Sequence, residues 1–120
     1  MKPIVLSLAK SDLKEIHERL VEFGNIPPKK FRDSFTGLCD NITSMPYMYP
    51  KYELNPNYHK AVIEYDYLVF YKVVKVGKKD RAMIYRVLHG KRDVLSLLKM
   101  EITNREESSY ESIAYQWKPE

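Results

Sequence analysis

Four basic side chains on three predicted neighbouring strands could support RNA cleavage without a metal ion. Such cleavage uses the 2′-hydroxyl as nucleophile, so it requires a base for that hydroxyl, cationic donors for the phosphate and an acid for the leaving oxygen. The side chains are Lys60, Lys72, Arg86 and His89. His89 is the acid or base in this hypothesis, and the other three stabilise the phosphate. A shared surface is possible because the strands are consecutive, although alternation along each strand decides where each side chain points.

Each candidate also has a purely structural interpretation. His89 precedes Gly90, so its ring could simply bond the backbone of a turn. Arg86 alternates with Ile84 and Leu88, so its aliphatic stem could cover the edge of the core while its head stays in water. Three further basic residues are predicted to extend a surface for nucleic acid, namely Lys91, Arg92 and Arg81.

The positive charge is concentrated in the second half of the chain. Residues 58–100 contain 10 Lys/Arg and 4 Asp/Glu, whereas residues 1–57 contain 8 and 7. Residues 101–120 reverse the sign, with 2 Lys/Arg and 5 Asp/Glu. A localised basic surface attracts polyanions whatever their sequence. The alternative is a solvated surface that happens to be rich in lysine.

The first half of the chain predicts a short strand followed by two helices. Residues 3–8 are typical of a strand, and Ser11 is the expected N-cap of a helix over 12–23 that ends at Gly24. A second helix is expected to begin at Pro27 and Pro28 and to end before Pro46. Apolar residues recur at three- and four-residue steps in both helices, so we expect them to pack as a hairpin.

Beyond a proline-rich bend at 46–57, the pattern changes to strands. Residues 58–63, 67–76 and 81–89 are rich in β-branched and aromatic residues, and their connections are short enough for antiparallel hairpins. A third helix is expected to begin at Asp93. The order β-α-α-β-β-β-α predicts an α+β fold, in which a helical hairpin packs on an antiparallel sheet.

The length and composition predict one folded domain over residues 1–102 and an acidic extension over 103–120. The extension is polar yet includes four large apolar side chains, so it is either a frayed end or a docking segment; they are Tyr110, Ile113, Tyr115 and Trp117. If it screens the basic surface, truncation at Ile102 should increase nucleic-acid binding. The lone Cys39 is interpreted as a core residue.

Several classes of protein are disfavoured. No apolar run is long enough for a membrane span, and the N-terminus has no cleavage site typical of a signal peptide, so we expect a cytoplasmic protein without a membrane partner. Neither metal-ligand spacing nor a phosphate-binding glycine loop is present. The expected chemistry therefore involves no cofactor.

Four stretches, together with the order of elements, resemble the RelE/ParE superfamily of toxins. The opening helix is similar at Ala9–Ile16, and the bend after the second helix is similar at Pro46 and Tyr49-Pro50. The central strand Tyr67–Val73 reads YLVFYKV, close to the family's usual Tyr-x-Ile-Phe-Tyr-Arg-Val. The fourth stretch, Arg86–Asp93, reads RVLHGKRD and is the most specific.

This resemblance implies a growth-inhibiting toxin that is held inactive by a cognate antitoxin. RelE-like members cut messenger RNA on the ribosome, whereas ParE-like members poison DNA gyrase without cutting nucleic acid themselves. The basic residues on the strands favour the endoribonuclease, with ribosome and mRNA as partners. Lysine at positions 60 and 72, where the family often has arginine, and the acidic C-terminal end depart from the nuclease pattern. A gyrase inhibitor and an inactive interaction module of the same fold are the alternatives.

Overall fold

A computed structural model describes residues 2–23, 27–92 and 94–98. Its elements are β1 (Ile4–Val5), α1 (Ser7–Phe23), α2 (Pro28–Ser44), β2 (His59–Ile63), a 3₁₀ turn (Glu64–Asp66), β3 (Tyr67–Val76), β4 (Lys79–His89) and α3 (Val94–Leu98). The predicted order is therefore confirmed. The expected helix boundaries at Gly24 and Asp93, the end of the domain at 102 and the acidic extension lie outside the described residues.

The first helix begins earlier than the sequence predicted. α1 already starts at Ser7, and the amide of Lys10 donates to the carbonyl of Leu6 at 2.9 Å. Ser11 therefore lies inside the helix, and its predicted role as the N-cap is wrong. The physical reason is that Ala9 and Leu13 are buried at helical spacing, so this segment gains more apolar burial as a helix than as a longer strand.

The sheet has four strands in the order β1-β4-β3-β2. β2, β3 and β4 form an antiparallel meander as predicted. β1 instead pairs in parallel with β4, with Ile4 opposite Met83, so the sheet as a whole is mixed rather than antiparallel. The hairpin of helices between β1 and the meander provides the long connection that a parallel neighbour requires.

Both faces of the sheet carry buried apolar residues, which defines two sides of the molecule. The hairpin face carries Val69, Tyr71 and Ile84, which are fully buried against α1 and α2. The outer face carries Phe70 and Leu88, which pack with residues of the 51–58 segment and of α3. This layered core explains why the central strands β3 and β4 carry apolar residues on both sides.

One β-bulge interrupts the pairing of the two central strands. Phe70 lies opposite Arg86, but Tyr71 lies opposite Ile84, so Tyr85 is the extra residue. The bulge changes the phase of alternation along β4. Ile84 consequently points to the hairpin face, whereas Arg86 and Leu88 start from the outer face.

Among the residues that the structure describes, no helix combines the length and the apolar character of a membrane span.

Candidate functional site

Lys60 and Lys72 lie on the outer face of the sheet, over aromatic rings. The Nζ atom of Lys60 is 5.4 Å from the ring centre of Tyr52. The Nζ atom of Lys72 is 4.6 Å from the ring centre of Tyr85 and 5.0 Å from that of Tyr58. Each ammonium group therefore gains cation–π attraction while its stem covers apolar surface.

Arg86 is buried and bound by a carboxylate from α1. Its Nε donates to Asp12 Oδ2 at 2.8 Å, and its Nη2 donates to Asp12 Oδ1 at 2.9 Å. The amide of Val87 also donates to Asp12 Oδ2, at 2.9 Å, and Arg86 Nη1 donates to the carbonyl of Leu97. Arg86 is only 7% exposed. Its hydrogen bonds connect α1, β4 and α3 beside the part of the β4 edge that does not pair with β1. A guanidinium so engaged is a structural clamp rather than a phosphate ligand.

His89 lies on the other side of the sheet. It is paired with Tyr67, and their rings meet edge to face with centroids 5.0 Å apart. Tyr67 in turn packs against Phe31 of α2, which places both on the hairpin face. The backbone amide of Lys91 donates a hydrogen bond to Nδ1 of His89, with an N–N distance of 3.1 Å. This agrees with the structural interpretation, in which the ring bonds the backbone of a turn.

The four side chains proposed for RNA cleavage are therefore not assembled at one site. Lys60 and Lys72 occupy the outer face, His89 occupies the hairpin face, and Arg86 is bound by Asp12. The expectation of one shared surface is wrong. Its physical cause is the two-residue alternation of strands, because positions 86 and 89 on one strand differ by an odd number.

A small pocket beside His89 contains further titratable groups. It encloses about 20 Å³ and is lined by Glu15, Arg19 and Arg92 together with Tyr67. Burial, as the main cause, raises the pKa of the Tyr67 hydroxyl. The volume is enough for one water molecule but not for a nucleotide. Arg19 was not predicted here because its spacing from Glu15 also fits an ordinary surface pair, which the two form at 3.7 Å.

The residues predicted to bind nucleic acid divide into two groups. Lys91 and Arg92 are exposed at the end of β4. Arg81 is only 6% exposed, its Nε donates to the carbonyl of Lys2, and burial lowers its pKa. Arg81 therefore holds the N-terminal segment to β4 and is not part of a surface for nucleic acid.

A groove on the outer face lies beside several of the predicted residues. It encloses about 700 Å³ between the 50–54 segment, β2, β3 and the start of α3. Its wall combines cations with apolar side chains; the main members are Lys51, Tyr52, Leu54, Lys60, Leu68 and Arg92. The sequence indicated Lys60 and Arg92 but not the groove, because residues 50–54 have no periodic pattern that would place them over the sheet.

The proline-rich bend is fixed by two ring-bearing side chains that sequence analysis did not single out. His59 Nδ1 lies 2.7 Å from the carbonyl of Tyr49, so this nitrogen must carry the proton and donate. The His59 ring stacks on Tyr71 at 5.1 Å, and the Tyr71 hydroxyl donates to the carbonyl of Pro46. Burial raises the pKa of Tyr71 to about 12. These contacts make the bend part of the folded body.

Cys39 packs against the core between the hairpin and the sheet, as predicted. Burial, assisted by the charge of Asp40, raises the pKa of its thiol to about 12. The side chain is therefore a neutral thiol at physiological pH, which is unsuited to nucleophilic attack. Within the described residues, no three His, Cys, Asp or Glu side chains are grouped so as to hold a metal ion.

Comparison with known proteins agrees with this architecture. A family model described as the ParE toxin of the type II toxin-antitoxin system, parDE, matches residues 4–94. No curated protein matches the chain. The family match covers every described strand, both long helices and the start of α3. The chain therefore belongs to the ParE toxin family of type II toxin–antitoxin systems, so its family implies a cognate antitoxin as partner.

Proposed function

We propose that this toxin arrests growth by binding DNA gyrase in the cytoplasm and does not itself cut nucleic acid. The observation that carries the proposal is the separation of the candidate catalytic groups. His89 is on the hairpin face, Lys60 and Lys72 are on the outer face, and the sheet lies between them. No phosphodiester group can contact His89 and these two lysines at once across a sheet.

The surroundings of Arg86 support the same conclusion. A phosphate-binding arginine needs its two-pronged donor face directed at the ligand. Here Nε and Nη2 already bind both oxygens of Asp12. If Arg86 bound a phosphate instead, the buried carboxylate of Asp12 would lose its counter-charge, at an unfavourable free energy.

Two assays with purified protein distinguish gyrase binding from RNA cleavage. We expect the toxin to inhibit gyrase supercoiling in a concentration-dependent way. We expect messenger RNA on translating ribosomes to stay intact at the same concentrations. Unchanged supercoiling at saturating toxin would exclude gyrase as the target, and cleaved messenger would restore the endoribonuclease hypothesis.

The variant His89→Gln provides a test inside the cell. Glutamine retains an acceptor for the amide of Lys91, but it cannot transfer a proton as a general acid or base near neutral pH. We therefore expect His89→Gln to arrest growth as strongly as the unchanged chain when both are expressed to equal levels. Loss of arrest in a variant with an unchanged circular dichroism spectrum would indicate catalysis by His89.

A further inference from the structure

The groove on the outer face has a composition suited to one kind of ligand. Among the lining residues that the structure describes, three are cationic and one, Glu53, is acidic; the cations are Lys51, Lys60 and Arg92. Tyr52 and Leu54 add apolar surface, and Leu54 is 64% exposed. Such a wall fits a peptide that combines carboxylates with large apolar side chains, because each kind of surface meets its complement.

The chain itself contains such a peptide beyond the described residues. Residues 101–120 contain 5 Asp/Glu and 2 Lys/Arg, together with Tyr110, Ile113, Tyr115 and Trp117. The net charge of this segment is thus opposite in sign to that of the described groove residues, and Ile113, Tyr115 and Trp117 follow four of its five carboxylates.

The last described element before this segment begins at the groove. Val94, at the start of α3, lines the groove, and α3 ends at Leu98. Only residues 99 and 100 separate Leu98 from the segment, so the tether between them is short. An extended chain spans about 3.3–3.6 Å per residue, so length does not limit its reach. A tethered ligand also has an effective concentration on the order of millimolar, so even weak complementarity suffices for occupancy.

We propose that the C-terminal segment, residues 101–120, docks intramolecularly in the outer-face groove. The carboxylates pair with Lys51, Lys60 and Arg92, and apolar side chains around Trp117 contact Tyr52 and Leu54. Any partner that uses this groove must first displace the segment. The toxin thus carries its own competitor on the outer face, and this inference stands independently of gyrase as target.

The single tryptophan of the chain makes the docking directly measurable. Trp117 is the only tryptophan, so its fluorescence reports on the C-terminal segment alone. The reference for a fully solvated Trp117 is a synthetic peptide of residues 101–120. We expect the full chain to emit at shorter wavelength than this peptide and to be quenched less by acrylamide. Emission and quenching equal to those of the peptide would overturn the proposal.

Three variants assign the contact to the groove. Lys60→Glu and Leu54→Asp should each return emission and quenching to the values of the peptide. Leu54 is mostly exposed, so this substitution tests the groove even if Lys60→Glu perturbs the fold, which circular dichroism would reveal. Lys78→Glu, with the same change of charge in the turn at the opposite end of β4, should leave the fluorescence shifted. Equal effects of Lys78→Glu and Lys60→Glu would indicate unspecific attraction and overturn the assignment.

A dilution series decides whether the contact is intramolecular. Docking within one chain does not depend on protein concentration, so the shifted emission should persist on dilution. Loss of the shift on dilution would show that the groove of a second copy is occupied instead, and the intramolecular proposal would be wrong.

Discussion

At the scale of single residues, Asp12 makes the most consequential contacts of the described chain. Its carboxylate accepts two bonds from Arg86 and one from the amide of Val87, all in the interior. We expect Asp12→Ala to lower the free energy of unfolding by about 3–5 kcal/mol, because it leaves a buried guanidinium without its counter-charge. Urea unfolding followed by circular dichroism measures this loss.

An exposed ion pair is the matched control for that substitution. Asp33 lies 3.7 Å from Lys29 on the surface of α2, with both side chains largely exposed. Asp33→Ala should change the free energy of unfolding by no more than about 1 kcal/mol. If the two alanine variants lost equal stability, the special role assigned to the Asp12–Arg86 pair would be refuted.

Tyr71 makes the stability of the bend dependent on pH in the alkaline range. Burial raises the pKa of Tyr71 from 10.0 to about 12, so the folded state retains the proton longer than the unfolded chain does. Its contribution is fully present below pH 10 and is lost as the pH rises towards 12. Over that interval, the free energy of unfolding should fall more steeply than in Tyr71→Phe, by about 1.4 kcal/mol per pH unit.

Urea unfolding of both proteins at several pH values measures the difference in slope. Tyr71→Phe retains the ring that stacks on His59 and lacks only the hydroxyl that donates to Pro46. Other groups with raised pKa, such as Cys39 and Tyr67, are present in both proteins, so their contributions cancel. Parallel slopes would mean that the Tyr71 hydroxyl titrates alike in both states.

At the scale of elements, alanine substitutions at two glycines distinguish the effect of backbone conformation on stability from the effect of side-chain packing. Neither Gly37 in α2 nor Gly77 in the β3–β4 turn has an atom within 4 Å of an added Cβ, but Gly77 has a φ of +64°. Gly77→Ala should therefore destabilise the protein by about 1 kcal/mol, because an L-residue is strained there. Gly37→Ala should stabilise it by about 0.5–1 kcal/mol, since alanine is the better helix former.

Thermal unfolding compares the two glycine variants under identical conditions. Opposite signs of the shift in Tm are expected, downward for Gly77→Ala and upward for Gly37→Ala. If Gly37→Ala lowered the Tm instead, the open space around position 37 of α2 would be contradicted.

The elements were predictable from sequence, whereas the arrangement of the site was not. Apolar residues at helical spacing predicted both helices, and runs of β-branched and aromatic residues predicted the meander. Both patterns are informative because burial of apolar side chains dominates the stability of these elements. The extra residue Tyr85 has no sequence signal, yet it decides that Ile84 and Leu88 face opposite sides. The carboxylate that binds Arg86 lies 74 residues away, and no local pattern indicates such a partner.

At the scale of the whole molecule, the positive charge of residues 58–100 does not form one patch. Arg81 and Arg86 are buried with partners, whereas Lys60 and Lys72 lie on the outer face over aromatic rings. Part of the positive charge is therefore used inside the protein. This favours local protein contacts over one continuous path for a polyanion.

Substitutions on the two sides of the molecule can show which side binds the target. Among the large apolar side chains that the structure describes as exposed, Val21 is the one within a helix. The others are Met45 at the C-cap of α2, Tyr47, Met48, Leu54 and Val62. The side of the helical hairpin that faces away from the sheet is not covered by another described element. We therefore expect gyrase to contact this side around Val21. Val21→Asp should then raise the toxin concentration for half-inhibition of supercoiling at least about tenfold, a loss of about 1.4 kcal/mol in binding.

Val62→Asp is the matched control, because Val62 is 60% exposed on the outer face and Val21 is 57% exposed on α1. Neither substitution buries a charge, so both variants should fold, and their inhibition curves report binding. If Val62→Asp weakened inhibition and Val21→Asp did not, the target would dock on the outer face, where it would compete with the C-terminal segment.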